Sequence, residues 1–97
     1  MLKISNLIND VSNNAVNQFL VEYKGKVWFQ SYDSIIAVKK ADGSVVIADM
    51  WDYSKTTAKH LYIWLRKHTR YHVVSRDEVL NLIETKQIKL VKKLKYS

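Results

Sequence analysis

The chain has 97 residues, 47% of them hydrophobic, which is enough for one domain with a modest core and excludes global disorder. It has no cysteine, so disulfides and thiolate metal sites are excluded, and no apolar run approaches the length of a membrane span. Residues 1–6 lack the apolar core of a signal peptide, so a cytoplasmic protein is expected.

The net charge of +7 is unevenly placed. Residues 1–54 hold five lysines against six acids, net −1, and residues 55–97 hold eleven basic residues against three acids, net +8. A basic half predicts a polyanionic or acidic partner, although lysine-rich surfaces also serve solubility. Thirteen of the sixteen basic residues are lysine. Lysine is a point charge without the fork that arginine lays on guanine, so nucleic-acid contact would be backbone-led and weakly sequence-selective.

Residues 1–16 read as an irregular arm. Leu7, Ile8 and Val11 fit one or two helical turns capped by Ser5, while the asparagines at 6, 9, 13, 14 and 17 argue for breaks. From Asn17 the period becomes two. Phe19, Val21 and Tyr23 alternate with Leu20 and Glu22, Lys24-Gly25 makes a tight turn, and residues 26–32 return. Val27 and Phe29 then lie on one face and Trp28 and Tyr32 on the other, and one of those faces is expected to be open. A third strand covers 34–39, Asp42-Gly43 marks a second hairpin, and a fourth strand covers 45–48. These strands form an antiparallel β-meander over 17–49.

Residues 50–97 read as a basic helical half with a final strand. The pattern predicts a helix over 54–68, capped by Asp52 or Ser54. Thr57, Leu61, Trp64, Leu65 and His68 make its apolar stripe, while Lys55, Lys59, Tyr62, Arg66 and Arg70 fall within about 80° of one another on another face. Ser75-Arg76-Asp77-Glu78 is a capping box for a second helix to about Lys86. Alternation of Ile88, Leu90, Leu94 and Tyr96 with lysines predicts a last strand, its charges guarding a sheet edge. The expected fold class is α+β: an antiparallel β-meander followed by helix, helix and a C-terminal strand, in a single domain of residues 1–97.

Four blocks stand out: Asn17-Gln18-Phe19, Phe29-Gln30-Ser31-Tyr32, Ser34-Ile35-Ile36-Ala37, and Trp51-Asp52-Tyr53-Ser54-Lys55-Thr56-Thr57-Ala58-Lys59. With them, residues 17–65 resemble the short proteins of tailed phages and prophages that pair an NQF…FQSY…I segment with WDYSxTTxK. The resemblance implies an origin and a fold, and no chemistry. The chain departs from that pattern after Lys59: His60-Leu61-Tyr62-Ile63-Trp64-Leu65 stands where tyrosine, arginine and a short Asn-Gln-Phe-Leu helix are usual.

Catalytic signals are weak. Glu22-Tyr23-Lys24 fits half of a nuclease metal site, with Asp49 or Asp52 as further carboxylates, but three-residue matches arise freely. His68 and His72 have a zinc spacing without an evident third ligand, and His68 falls on the apolar stripe. No nucleophilic triad or glycine-rich phosphate loop is present. A binding protein without cofactor, metal, small-molecule substrate or membrane is therefore expected, and not an enzyme. Its expected contacts are Lys55, Lys59, Tyr62, Arg66 and Arg70 on the helix, joined by Lys89, Lys92, Lys93 and Lys95. The partner is nucleic acid or, alternatively, an acidic or nucleic-acid-binding host protein inhibited by an anti-defence or anti-CRISPR protein of a phage.

Overall fold

The structure, a computed structural model, describes residues 2–8 and 14–96. Six strands form one sheet: β1 (Lys3–Ile8), β2 (Asn14–Tyr23), β3 (Lys26–Ser31), β4 (Ser34–Lys39), β5 (Val45–Ala48) and β6 (Ile88–Val91). They lie in chain order, antiparallel up to β5, with β6 parallel to β5. Between β5 and β6 run α1 (Lys55–His68) and α2 (Arg76–Glu84). The α+β class, the meander and the order helix, helix, strand are as the sequence predicts.

The first sixteen residues are a correction. The expected irregular arm, with helical turns from Ser5, is an edge strand and the start of its partner, paired Lys3 to Glu22 and Asn6 to Phe19. The asparagines that read as breaks act within the strands. Asn6 Nδ2 donates to the Ala15 carbonyl at 3.1 Å, and Asn17 takes φ 59°, a left-handed position that asparagine tolerates. That bulge turns Gln18 into the core behind Ala15, and Leu7 is fully buried. Val11, expected to face inward, lies outside the described residues.

The turns follow their residues. Lys24 and Gly25 both have positive φ, 53° and 73°, the signature of a type I′ hairpin whose twist matches its strands. Gly43 has φ 90° beside Asp42, whose Oδ1 accepts from the Ser44 amide at 2.9 Å and hydroxyl at 2.6 Å. Those bonds hold the Asp42 carboxyl below the ordinary carboxylate value. Ser54 caps α1 by accepting from the Thr57 amide at 3.1 Å. Ser75 caps α2, and Glu78 Oε1 accepts from the Val74 amide at 2.9 Å, one residue before the cap.

The two helices cover one face of the sheet. Phe29, Ile36, Ala37, Val45 and Ile47 from the strands meet Leu61, Ile63, Trp64 and Leu65 of α1 and Val79 of α2, all essentially buried. The indole of Trp64 stacks on Phe29 at 6.5 Å between centroids. At roughly 25 cal/mol per Å² of apolar surface, this layer is the main source of stability. Three of the four sequence blocks meet at its polar heart. Buried Gln18 pairs in register with Ser31, and the Ser31 hydroxyl lies 3.1 Å from the Thr57 hydroxyl, itself within 3.1 Å of Ser54. The blocks thus seat the start of α1 on the bulged strands.

The opposite face is a second correction. Neither side of β3 is open at the tryptophan: Trp28 is 1% exposed and Phe29 0%. The expected final strand ends at Val91, because its partner β5 is only four residues long. Residues 92–96 instead fold back over the sheet. Leu94 packs with Val21, Trp28, Val38 and Val46, and the Tyr96 ring meets Trp28 edge-on at 4.9 Å. Tyr32, expected to share the Trp28 face within the strand, lies beyond the end of β3 with φ 52° and is exposed.

Candidate functional site

The helix face divides. Lys55 and Lys59 are exposed on α1, as their four-residue spacing requires. Tyr62 is half-buried with its ring edge-on to Trp51 at 6.5 Å, and burial raises its hydroxyl above the ordinary value against the opposing Arg76 charge. Arg66 is half-buried and donates from Nη1 to the Val73 carbonyl at 2.7 Å. Arg70 lies past the end of α1, its guanidinium 5.2 Å from the Tyr71 ring centre and bonded to the Tyr71 hydroxyl at 3.1 Å. The expected continuous stripe is therefore two exposed lysines and two arginines that hold the 70–73 segment.

The lysines near the C-terminus lie elsewhere. Lys89 pairs with Val46, and the register extends that pair into a row across all six strands: Ile4, Val21, Trp28, Val38, Val46, Lys89. Every member faces away from the helices. Lys89, Lys93 and Lys95 join Lys26 and Lys40 around a groove of about 530 Å³ floored by Val38, Val46 and Leu94. The Lys26 ammonium lies 5.8 Å from the Trp28 ring centre. Among the described residues no carboxylate lines this groove. Lys92 is exposed on the tail and is not among its lining residues.

Past the tail, at the other end of the row, a smaller pocket of about 260 Å³ is lined by Leu2, Ile4, Val21, Tyr23, Gln30 and Tyr96. Leu2 and Ile4 are 52% and 60% exposed, a large apolar area left on a small domain's edge strand. The Tyr96 hydroxyl donates to Gln30 Oε1, while Gln30 Nε2 donates to the Tyr32 carbonyl at 2.7 Å. Burial raises the Tyr96 hydroxyl above its ordinary value.

Lys26, Lys40, Tyr23 and Tyr96 were not among the expected contacts. Period-two alternation does hold the signal, since Lys26 shares a parity with Trp28 and Lys40 with Val38. What the sequence lacks is the tail's return across that face.

The weaker chemical motifs come apart. Lys24 sits in the hairpin turn with its ammonium 5.3 Å from the Tyr23 ring centre. Asp52 is paired with Arg76 at 2.9 Å. His68 ends α1 half-buried, whereas His72 lies in the coil beyond it, exposed. Among the described residues no three histidine or carboxylate groups gather as metal ligands, and no helix is long and apolar enough to cross a membrane.

A family model, described as a family of unknown function, DUF8033, matches residues 2–81. That span holds β1 to β5, α1 and most of α2, so β6, the tail and three of the five groove lysines lie beyond it. No curated protein and no solved structure matches the chain significantly. Since the match covers most of its length, the chain belongs to the family DUF8033, whose function is unknown.

Proposed function

We propose that this is a small phage-encoded protein that binds nucleic acid through phosphate contacts, with weak sequence selectivity, in the cytoplasm of the bacterial host. The phage origin is supported by the four sequence blocks and their resemblance to tailed-phage proteins. The observation that carries the binding reading is the groove lined by Lys40, Lys89, Lys93 and Lys95, with Lys26 at its edge over Trp28 and, among the described residues, no carboxylate in its lining. Like charges gathered on one surface repel one another and gain when a polyanion arrives and releases its counterions. Lys55 and Lys59 add positive potential from the helix layer but form no concave site of their own. The site therefore belongs to the sheet face rather than to the helix face that sequence periodicity favours, and its role is binding rather than catalysis.

The test is fluorescence anisotropy of a labelled oligonucleotide against salt. Each neutralised phosphate of a single strand contributes about −0.7 to the slope of log affinity on log salt, so four or five lysines predict roughly −3. A slope near zero, or no binding at low salt, refutes the reading.

A second reading, an inhibitor or adaptor of a host protein such as an anti-CRISPR protein, has its own supporting observation. Val16 and Tyr32 are 79% and 52% exposed, and the Tyr32 amide donates to the carbonyl of Asn17, the residue after Val16, at 2.7 Å. Exposed apolar and aromatic side chains of this kind anchor protein interfaces. Capture of one defined host protein after nuclease treatment, lost on Tyr32→Glu, supports this reading; capture that vanishes with nuclease supports the first.

A further inference from the structure

We propose that the ligand of the tail-covered sheet face is single-stranded nucleic acid, with a base seated in the pocket of Leu2, Ile4, Tyr23, Gln30 and Tyr96 and the adjoining phosphates led to Lys89, Lys93 and Lys95. This rests on the nucleic-acid reading and narrows it. The two sites lie on the same side of the sheet, on either side of the tail: the register row runs from Ile4 at the apolar end to Lys89 at the basic end, and Leu94 and Tyr96 cover its middle. With neighbouring strands about 4.8 Å apart, the five steps of that row span about 24 Å. That suits a few nucleotides of extended strand, the low end of the ~4–16 that single-strand sites cover.

The chemistry differs along the row as a nucleotide's does. One end offers ammonium groups to phosphate and the other offers aromatic and aliphatic walls to a flat ring. Among the described residues the smaller pocket has no charged lining residue. Its one amide, Gln30, already accepts from Tyr96 and donates to the Tyr32 carbonyl, which leaves one N–H and one lone pair for a base edge. A duplex keeps its bases stacked inside and can reach only the lysines, so the aromatic end would be idle. Residues 94–96 form the ridge between the two sites, with Leu94 and Lys95 on the basic side and Tyr96 on the other.

The experiment compares three labelled probes on the full chain: a short single-stranded DNA, its abasic counterpart with the same phosphates, and the corresponding duplex. The single strand should bind roughly tenfold more tightly than the abasic strand, in line with the contribution of one stacked base. Tyr23→Leu should erase most of that ratio while leaving abasic binding unchanged. Ile4→Gln, at a position 60% exposed, should do the same by removing an apolar wall of the pocket without adding charge. A thermal melt of each variant verifies folding. Equal affinity for all three probes overturns the base pocket and leaves the phosphate reading standing. Failure of all three to bind at low salt overturns both.

Discussion

The two faces of the sheet are built to different ends. Toward the helices, the strands present Phe29, Ala37, Val45 and Ile47 to a mainly apolar layer that includes Leu61 and Leu65, both 0% exposed. Toward the tail, a smaller cluster of Val21, Trp28, Val38 and Val46 is closed by five residues without regular structure, and lysines ring what remains open. The same strands carry both faces, because successive side chains alternate. One face stabilises the fold. The other is only partly closed, and a surface that is apolar at its floor and cationic at its rim is suited to a ligand.

The contrast predicts unequal costs. Leu61→Ala or Leu65→Ala should lose about 2–5 kcal/mol in chemical denaturation, as buried leucines do. Leu94→Ala, at a half-buried site on the tail, should lose about 1 kcal/mol or less. Equal losses at the two leucine positions would mean that the tail is part of the main core.

Charge reversal separates the faces by function. Lys89→Glu with Lys93→Glu should weaken oligonucleotide binding by about a hundredfold or more at low salt, because each change removes an attraction and adds a repulsion. Lys55→Glu with Lys59→Glu should weaken it by less than about tenfold. Both pairs should stay within about 0.5 kcal/mol per site of wild-type stability, since the residues are exposed. The reverse order of effects would return the site to the helix.

Gly43→Val strikes the hairpin joining β4 and β5, which contribute to both faces. A branched side chain at φ 90° is strained, and a loss of about 1–3 kcal/mol is expected in the same denaturation assay. Wild-type stability would mean that the hairpin relaxes without cost.

The smallest effect concerns His68. Burial first, then Lys39 and Lys67, push its imidazole below the ordinary 6.5, with Glu22 opposing. The unfolded chain therefore takes up a proton before the folded one, and stability falls as pH drops through 6.5 toward the lower folded value. His68→Gln should flatten that part of the stability curve; an unchanged curve assigns the dependence to other groups.

Much of the fold was legible because local rules agreed. Ser54 and Ser75 carry cap chemistry, Lys24-Gly25 and Asp42-Gly43 carry turn chemistry, and the 3.6-residue period of Leu61, Trp64 and Leu65 marks the buried stripe. The arm was misread because asparagine has the same local signal in a coil and in a bulged strand. Asn6 and Asn17 are resolved only by the partners that the sheet provides. The tail was misread because alternation persists through Leu94 and Tyr96 after β5 has run out of residues to pair. For the site, the helix wheel placed Lys55 and Lys59 outward correctly but could not show that Arg66 and Arg70 bind their own chain. Lys26 and Lys40 are distant in sequence from Lys89 and Lys93, and strand order and the tail's return bring them together.

The central claim is that the ligand lies on the tail side of the sheet. Backbone amide chemical shifts during titration with a short single-stranded oligonucleotide test it most directly. The account predicts the largest shifts at Lys26, Trp28, Val46, Lys89 and residues 92–96, with Tyr23 and Ile4 following and α1 nearly silent. Shifts concentrated on Lys55, Lys59 and the exposed turns of α1, with the lysine groove unmoved, would contradict it.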